Sequence, residues 1–511
     1  MSRPIVLQGD RKAVTKTGIG TFGTVIFGAG VAFATTLFVS NSAGDAGAGV
    51  FFQILAFFAI ATAACTFGAE TGLVKTLTAQ LTRGERDAVR LSFAVALVPV
   101  GITATVVAVA VWCSAAALGG LFQDPRATEL IQLLAVFIVP GSLLSTVFGG
   151  LRGFGRVGSF TGLQNVLLPC LRFTAVAAVT VLGLGTLALA AAWVVPVAGV
   201  LVVAAVMVHR SYRAYLAQDG GIGAGGGQDR SASAVKSPRS ALGQLRSFWS
   251  FSAGRGASSL VEIVLEWLDV ILVGLFLGPA AAGIYGVVNR CVRLGQMADH
   301  SARIVVGPML GAAMASADLA RAQLIYLMST RILVLVAWPF YLVLLVSGPT
   351  LLSFFGAEFS AGYPALAIIA CAMCLAVTAG GVQSVLLMAG RSSWQLYNKL
   401  AALAVALTGN LTLIPWLGLR GAALSWAAAV LLDCALATWE VHHFLRIRVS
   451  PRAIAMPAGL AALVYGVGLW LVQTIFGPSW WSVGLGLAAL TGIYTAVVWH
   501  RRIPWGLAAL R

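Results

Sequence analysis

WQLYNKLAALAVALTGNLTLIPWLGLRGAALSWAAAVLLDCALATWEVHH, residues 394–443, holds two long apolar runs separated by a short turn at Gly418. Each run is long enough to cross a bilayer as a helix, which takes about 20 mostly apolar residues. Because lipid offers the backbone no hydrogen bonds, such runs are expected to be α-helical. These residues therefore predict a pair of membrane-spanning helices.

Similar runs fill nearly all of the 511-residue chain. Hydrophobic residues make up 59% of it and charged residues 10%, and the mean hydropathy is +0.92. This composition excludes a soluble globular domain. The sequence predicts an all-α polytopic membrane protein with about 14 transmembrane helices, at 17–40, 47–68, 90–115, 127–151, 159–184, 186–208, 248–277, 280–311, 324–348, 361–390, 394–416, 419–443, 453–476 and 479–500. The polar stretch 280–311 is expected to be broken.

Basic residues are unevenly distributed among the connections, which predicts the orientation. They cluster near both termini and in alternate connections, at Lys75, Arg83, Arg86, Arg152, Arg156, Arg210 to Arg246, Arg321, Arg391, Arg446, Arg448 and Arg452. The other connections hold only Arg126 and Arg420. Since basic loops stay in the cytoplasm, both termini are predicted to be cytoplasmic. The net charge of +16 is explained by this bias, so no nucleic-acid binding is expected.

The most polar segment, 209–247, is rich in Gly and Ser and predicts a flexible linker. Six predicted spans come before it and eight after it. The predicted organisation is a cytoplasmic N-terminus (1–16), an N-lobe (17–208), the linker (209–247), a C-lobe (248–443), two extra helices (444–500) and a cytoplasmic C-terminus (501–511).

The two lobes carry a weak internal repeat. A gapless shift of 235 residues places Gly155-Arg156 on Gly390-Arg391 and Leu182-Gly183-Leu184 on Leu417-Gly418-Leu419. Chance similarity between apolar sequences is the alternative. A repeat of six spans predicts two six-helix lobes related by pseudo-two-fold symmetry, an arrangement that transporters use.

Ionisable residues within the predicted spans are costly in lipid and indicate function. They are Arg172, Arg255, Glu262, Glu266, Asp269, Arg290, Arg293, Asp299, Arg303, Lys399 and Asp433. Glu262, Glu266 and Asp269 share one helix face by their spacing. Around the Gly278-Pro279 turn, Asp269 is level with Arg290, and Glu266 with Arg293. The alternative is that these pairs only lock two helices together.

Arg172 and Arg255 lack a nearby acid, which favours an aqueous cavity over snorkelling to the interface. Lys399 lies near the inner interface, where its side chain can simply snorkel to the water. We therefore expect a net-positive, water-filled cleft between the lobes. Because guanidinium groups bind phosphate in a bidentate, charge-assisted way, the cleft would suit an amphiphile with a phosphate head.

Three passages resemble a known family. Residues 413–423, LIPWLGLRGAA, preceded by Asn410, resemble the "N-x-x-LIP-x-xG-x-xGAA" passage of polysaccharide and O-antigen flippases. Residues 355–359, FGAEF, with Tyr363, resemble the family's "fGeeY" external segment. Asp269, Gly278, Gly283-Ile284-Tyr285 and Arg290 resemble its "D…G…vGiY…aR" hairpin. The family belongs to the multidrug/oligosaccharidyl-lipid/polysaccharide (MOP) exporter superfamily.

The resemblance implies a flippase that moves a polyprenyl-diphosphate-linked oligosaccharide to the external leaflet by alternating access. It also implies location in the bacterial cytoplasmic membrane, and no catalytic residues or metal site. Arg172, Arg255, Arg290 and Arg293 would bind the diphosphate, and Glu262, Glu266 and Asp269 would serve coupling or gating. No cofactor is expected beyond coupling to a proton or Na⁺ gradient. Membrane lipid and glycan polymerase or assembly proteins are the expected partners of a monomer.

Three other functions compete with this one. A cation-coupled multidrug antiporter of the same superfamily would favour acids over arginines in its cavity. A lipid II flippase would carry an Arg-Asp pair in the first span, which reads FATTLF at 33–38. A membrane polysaccharide polymerase would need a large external loop, whereas the longest here is about 349–360. The sequence has no Walker motif, metal cluster or nucleophile triad.

Overall fold

The computed structural model describes residues 8–121, 126–217, 241–316, 318–447 and 451–501. In these residues all regular structure is helical, as predicted. The central part of the predicted linker, 218–240, and the terminal segments 1–7 and 502–511 lie outside the described residues, as does Arg448.

The helices follow the predicted order. In the first half they are α1 (Gln8–Thr66), α2 (Ala69–Arg83), α3 (Arg86–Cys113), α4 (Ala115–Leu121), α5 (Ala127–Gly153), α6 (Val157–Gly162), α7 (Leu168–Val181) and α8 (Gly185–Ala217). In the second half they are α9 (Ala241–Leu277), α10 (Pro279–Ala315), α11 (Leu319–Leu352), α12 (Tyr363–Thr378), α13 (Val382–Met388), α14 (Ser392–Leu417), α15 (Leu419–Phe444), α16 (Pro451–Ala461), α17 (Leu469–Phe476) and α18 (Trp480–Arg501). Single π-helical segments, Leu163–Leu167 and Ala462–Gly468, join α6 to α7 and α16 to α17.

Eleven helical stretches in the described residues are long and apolar enough to cross a membrane. The first, Gly23–Arg83, has 61 residues and a non-helical Gly44, so at about 1.5 Å per residue it is long enough for two crossings. The charged helices α9 and α10 are not among the eleven, although each has 37 residues. Counting Gly23–Arg83 as two crossings and adding α9 and α10 raises the eleven to fourteen, which agrees with the fourteen predicted spans.

Three spans differ from prediction. The second ends at Thr66, and after Phe67 (φ 38°) and Gly68 (φ 78°) the chain continues in a helix that was not predicted, α2. The eighth, predicted to be broken, is one continuous helix, α10. The tenth, predicted to be continuous, is interrupted between α12 and α13 at 379–381.

One compact unit comprises residues 1–35 and 54–267. Helix α5 lies at its centre and packs against α2, α3 and α8. The buried core around these helices consists of aliphatic and phenylalanine side chains, including Leu73, Leu77, Val100, Leu151 and Val200. Within this unit Gly68 and Gly256 bring the α1–α2 break against α9, and a Cβ on either would overlap backbone atoms of the other segment.

The other compact unit comprises residues 36–53 and 268–511. In it α11 packs against α10, α12 and α16, while α15 packs against α12 and α14. Gly49 and Gly283 approach each other so closely that neither has room for a Cβ. Helices α1 and α9 thus each contribute residues to both units. The pseudo-two-fold relationship of the predicted lobes stays a prediction.

Candidate functional site

Asp269 of α9 is the most deeply buried ionisable group of the predicted set, with 1% of its surface exposed. Its carboxylate accepts hydrogen bonds from Asn410 Nδ2 at 2.7 Å and from the Tyr285 hydroxyl at 3.1 Å. Both donors are fully buried. The second polar atom of the amide, Asn410 Oδ1, has no hydrogen-bond partner among the described residues. Sequence reasoning quoted Tyr285 and Asn410 only as motif positions and missed their contacts with Asp269.

Arg290 and Arg293 lie half-buried on α10, in the same unit as Asp269. The positive charge of Arg293 acts on the Asp269 carboxylate. The Arg290 guanidinium lies 5.9 Å from the centre of the Phe52 ring. The two hydrogen bonds described for Asp269 come from neutral side chains, and its predicted pairing with Arg290 stays a prediction.

Arg172 of α7 is fixed to the neighbouring helix α8. Its Nε donates to the Trp193 carbonyl at 3.0 Å, and its guanidinium lies over the Trp193 ring, 4.4 Å from the centre. Pro196, which lacks an N–H, interrupts the α8 hydrogen-bond ladder within one turn of that carbonyl. Within the described residues no other hydrogen bond or ion pair involves this guanidinium.

Arg255, Glu262 and Glu266 share α9 with Asp269 but belong to the other compact unit. Arg255 and Glu262 are half-buried and Glu266 is exposed. None of the hydrogen bonds or ion pairs of the described residues involves Arg255. Helix α9 is continuous from 241 to 277, but Glu266 is exposed while Asp269 is buried, so the shared face of the three acids stays a prediction.

A carboxylate that the sequence did not single out lies in the first unit. Glu70, in the first turn of α2, accepts from the Ser145 hydroxyl at 2.9 Å and pairs with Arg152 at 3.4 Å. The Arg152 guanidinium also stacks over Phe160, 4.8 Å from the ring centre. The predicted second span ended just before Glu70, so this residue was counted outside the membrane.

Lys399 and Asp433, which the sequence placed within the spans, contact each other in the second unit. Lys399 Nζ lies 4.0 Å from Asp433 Oδ2, and both side chains are mostly buried. Asp433 Oδ2 also accepts from Gln383 Nε2 at 2.9 Å. Lys399 therefore has a carboxylate partner within the protein.

No group of three or more His, Cys, Asp or Glu in the part of the chain that the structure describes is placed to hold a metal ion. The seven cysteines are all free thiols, and most are partly or fully buried.

Comparison with known proteins places this arrangement in a family. The sequence profile of the family described as "Polysaccharide biosynthesis protein" matches residues 14–314. The chain belongs to this family. The teichuronic acid biosynthesis protein TuaB of Bacillus subtilis (strain 168) is 25% identical over 241 residues. That match covers 44% of this chain, and the chain spans about half, 48%, of that relative.

Solved structures show the same fold at low sequence identity. The lipid II flippase MurJ, in an inward closed conformation, is similar with a TM-score of 0.72 and 11% identity, covering 96% of this chain and all of MurJ. An inward-facing multidrug resistance MATE transporter of the MOP superfamily has a TM-score of 0.59 and 15% identity, covering 84% and 98% of the two chains. The predicted fold, which this chain shares with the solved MATE and MurJ structures, is confirmed, and the chain is a multi-pass membrane protein.

Proposed function

We propose that this protein is a flippase that moves a polyprenyl-diphosphate-linked oligosaccharide from the cytoplasmic to the external leaflet of the bacterial cytoplasmic membrane. The observation that carries the proposal is the state of Arg172, whose guanidinium is positioned by Trp193. Such a group offers the paired donors that a phosphate needs. Family membership supports a glycan as the other part of the cargo.

Arg255, Arg290 and Arg293 are the other proposed anion-binding residues. All three are half-buried on helices that carry both acidic and basic side chains. An arginine-rich set favours an anionic cargo over the cationic drugs of an antiporter, because like charges would repel. The names of the relatives, teichuronic acid biosynthesis protein and lipid II flippase, are consistent with a lipid-linked glycan.

Coupling is assigned to Asp269, with Glu262 and Glu266 as further gating groups. A buried carboxylate costs free energy unless it is hydrogen-bonded, and Asp269 is stabilised by Asn410 and Tyr285. Binding of a proton or Na⁺ would neutralise its charge. Both termini are proposed to be cytoplasmic, and the protein is proposed to act without a cofactor.

The test is a leaflet assay in sealed vesicles that contain the purified protein and a fluorescent polyprenyl-diphosphate-linked oligosaccharide. Arg172→Gln and Arg255→Gln should each slow glycolipid movement about 10- to 100-fold. The reason is that a hydrogen bond to a charged group contributes about 1.5–3 kcal/mol, and each 1.4 kcal/mol is about tenfold. Arg420→Gln, which removes an exposed arginine, is the matched control and should move glycolipid at the wild-type rate.

Normal movement in both Arg172→Gln and Arg255→Gln would refute the assignment of the anion-binding residues. If the wild type moves no glycolipid but expels cationic drugs when a cation gradient is applied, the protein is an antiporter and the flippase proposal is wrong.

A further inference from the structure

A polar cluster surrounds the interruption of the tenth span. Helix α12 ends at Thr378 and α13 begins at Val382, with Gly380 at φ 61° between them. The freed carbonyl of Ala379 accepts from the Tyr326 hydroxyl at 2.6 Å. Broken helices at membrane depth persist only where the surrounding protein or a cavity satisfies their polar groups. The interruption at 379–381 therefore needs polar partners from neighbouring helices, and the Tyr326 hydroxyl is one of them.

Gln383 lies in the first turn after the interruption and is 6% exposed. Its Nε2 donates to Asp433 Oδ2 at 2.9 Å. Its Oε1 is buried and has no hydrogen-bond partner among the described residues. A buried acceptor without a hydrogen bond is unfavourable, so Gln383 Oε1 marks a position where a donor would be bound favourably.

The chemistry of the pair identifies that donor. An amide that donates to one carboxyl oxygen through the N–H on the side of its C=O faces the other carboxyl oxygen with its own carbonyl oxygen, and we take Gln383 to bind Asp433 in this way. An ionised carboxylate is only an acceptor, whereas a protonated carboxyl has an O–H to donate. Protonation of Asp433 at Oδ1 would thus let Asp433 and Gln383 exchange two hydrogen bonds in a closed ring.

We infer that Asp433 and Gln383 form a proton-binding site, separate from Asp269, in which Lys399 neutralises the ionised form. In the step, a hydronium ion transfers one proton to Asp433 Oδ1, a new O–H bond forms, and the hydronium becomes water. Lys399 keeps its own proton, so the cluster gains one positive charge and the Lys399–Asp433 attraction is lost. The proton thereby releases the Lys399 ammonium from its carboxylate partner.

Each helix around α15 contributes groups that affect this site. Helix α10 brings Asp299 and Arg303, which pair with each other at 2.6 Å and so largely cancel in charge. These two and Lys399 lie close enough to Cys434, next to Asp433, to act on it electrostatically. Helix α11 contributes Tyr326 and the half-buried Arg331, which follows Thr330 beside Gly380, and α14 contributes Lys399. Helix α12 carries only tyrosine and cysteine as titratable groups.

A further acid, Glu440, lies nearly two turns along α15 from Asp433 and accepts from Asn398 Nδ2 at 2.7 Å. It is a carboxylate on the same helix with an amide partner on α14. Because its amide partner is Asn398 rather than Gln383, Glu440 lies outside the proposed proton site and offers a matched control.

The experiment is infrared difference spectroscopy of the full chain in lipid nanodiscs, without glycolipid, as the pH is lowered. The wild type should gain a protonated-carboxyl band. Asp433→Asn should lose that contribution, and Gln383→Leu should move it to higher frequency, because the carboxyl carbonyl then loses the amide donor. Glu440→Gln should retain the wild-type contribution.

Two results would overturn the inference. One is a band that is identical in wild type and Asp433→Asn, and the other is a band that Gln383→Leu does not move. If Asp433→Asn fails to fold, Asp433→Glu with ¹³C-labelled aspartate is used, and the isotope shift of the band seen in labelled wild type should disappear. The inference deepens the coupling part of the proposed function, yet the measurement contains no cargo, so its outcome is separate from that of the leaflet assay.

Discussion

At the scale of single residues, two neutral donors hold the buried carboxylate of Asp269. Asn410→Leu should lower the free energy of unfolding by about 1–3 kcal/mol, because it removes one donor from a buried charge while keeping a similar volume. Chemical unfolding in a defined detergent would measure this. Tyr285→Phe, which removes the longer of the two hydrogen bonds, should cost less.

A double-mutant cycle separates this effect from general packing. In an Asp269→Leu background no charge remains to be stabilised, so Asn410→Leu should cost much less than in the wild type. If Asn410→Leu lowers the free energy of unfolding equally in both backgrounds, the Asn410 side chain stabilises the protein only by filling space.

At the scale of elements, the close approach of α9 to the α1–α2 break depends on glycine. A Cβ at Gly256 would overlap the Phe67 carbonyl, whereas one at Gly254 would meet no atom within 4 Å. Gly256→Ala should therefore destabilise the protein by about 1–3 kcal/mol through overpacking. Gly254→Ala should be neutral or stabilising by up to about 1 kcal/mol, since alanine favours helix.

Thermal unfolding of the two variants side by side checks this prediction. Both are single-methyl changes, two residues apart in α9. Equal melting temperatures for the two variants would mean that the Gly256 backbone can move away from Phe67 without cost.

The helices themselves could be predicted from hydropathy because the bilayer requires long apolar segments with internally bonded backbone. The interruption at 379–381 could not, since Gly380 and Gly381 are a weak signal within an apolar run. Likewise, charge spacing identified Asp269 but not Asn410, because their contact joins α9 to α14 across 141 residues. Which side chains meet depends on tertiary packing, and a single sequence carries no direct record of it.

At the scale of the whole molecule, the orientation is open to direct test. In a cysteine-free background, Leu182→Cys and Ser479→Cys should react with an impermeant maleimide from outside intact cells. Glu85→Cys and Arg391→Cys should react only after permeabilisation, because their basic connections are proposed to be cytoplasmic. Reaction of Glu85→Cys in intact cells would reverse the proposed topology.

The division into two compact units predicts how the protein behaves when its chain is produced as two fragments. Residues 36–53 precede the Gly-rich segment but belong to the unit formed mainly by residues 268–511, and 241–267 come after that segment but belong to the earlier unit. Each half-chain thus donates one piece to the other's core. Two separately translated fragments, 1–217 and 241–511, should therefore be stable only when produced together, as an obligate complementing pair that copurifies through a tag on either one.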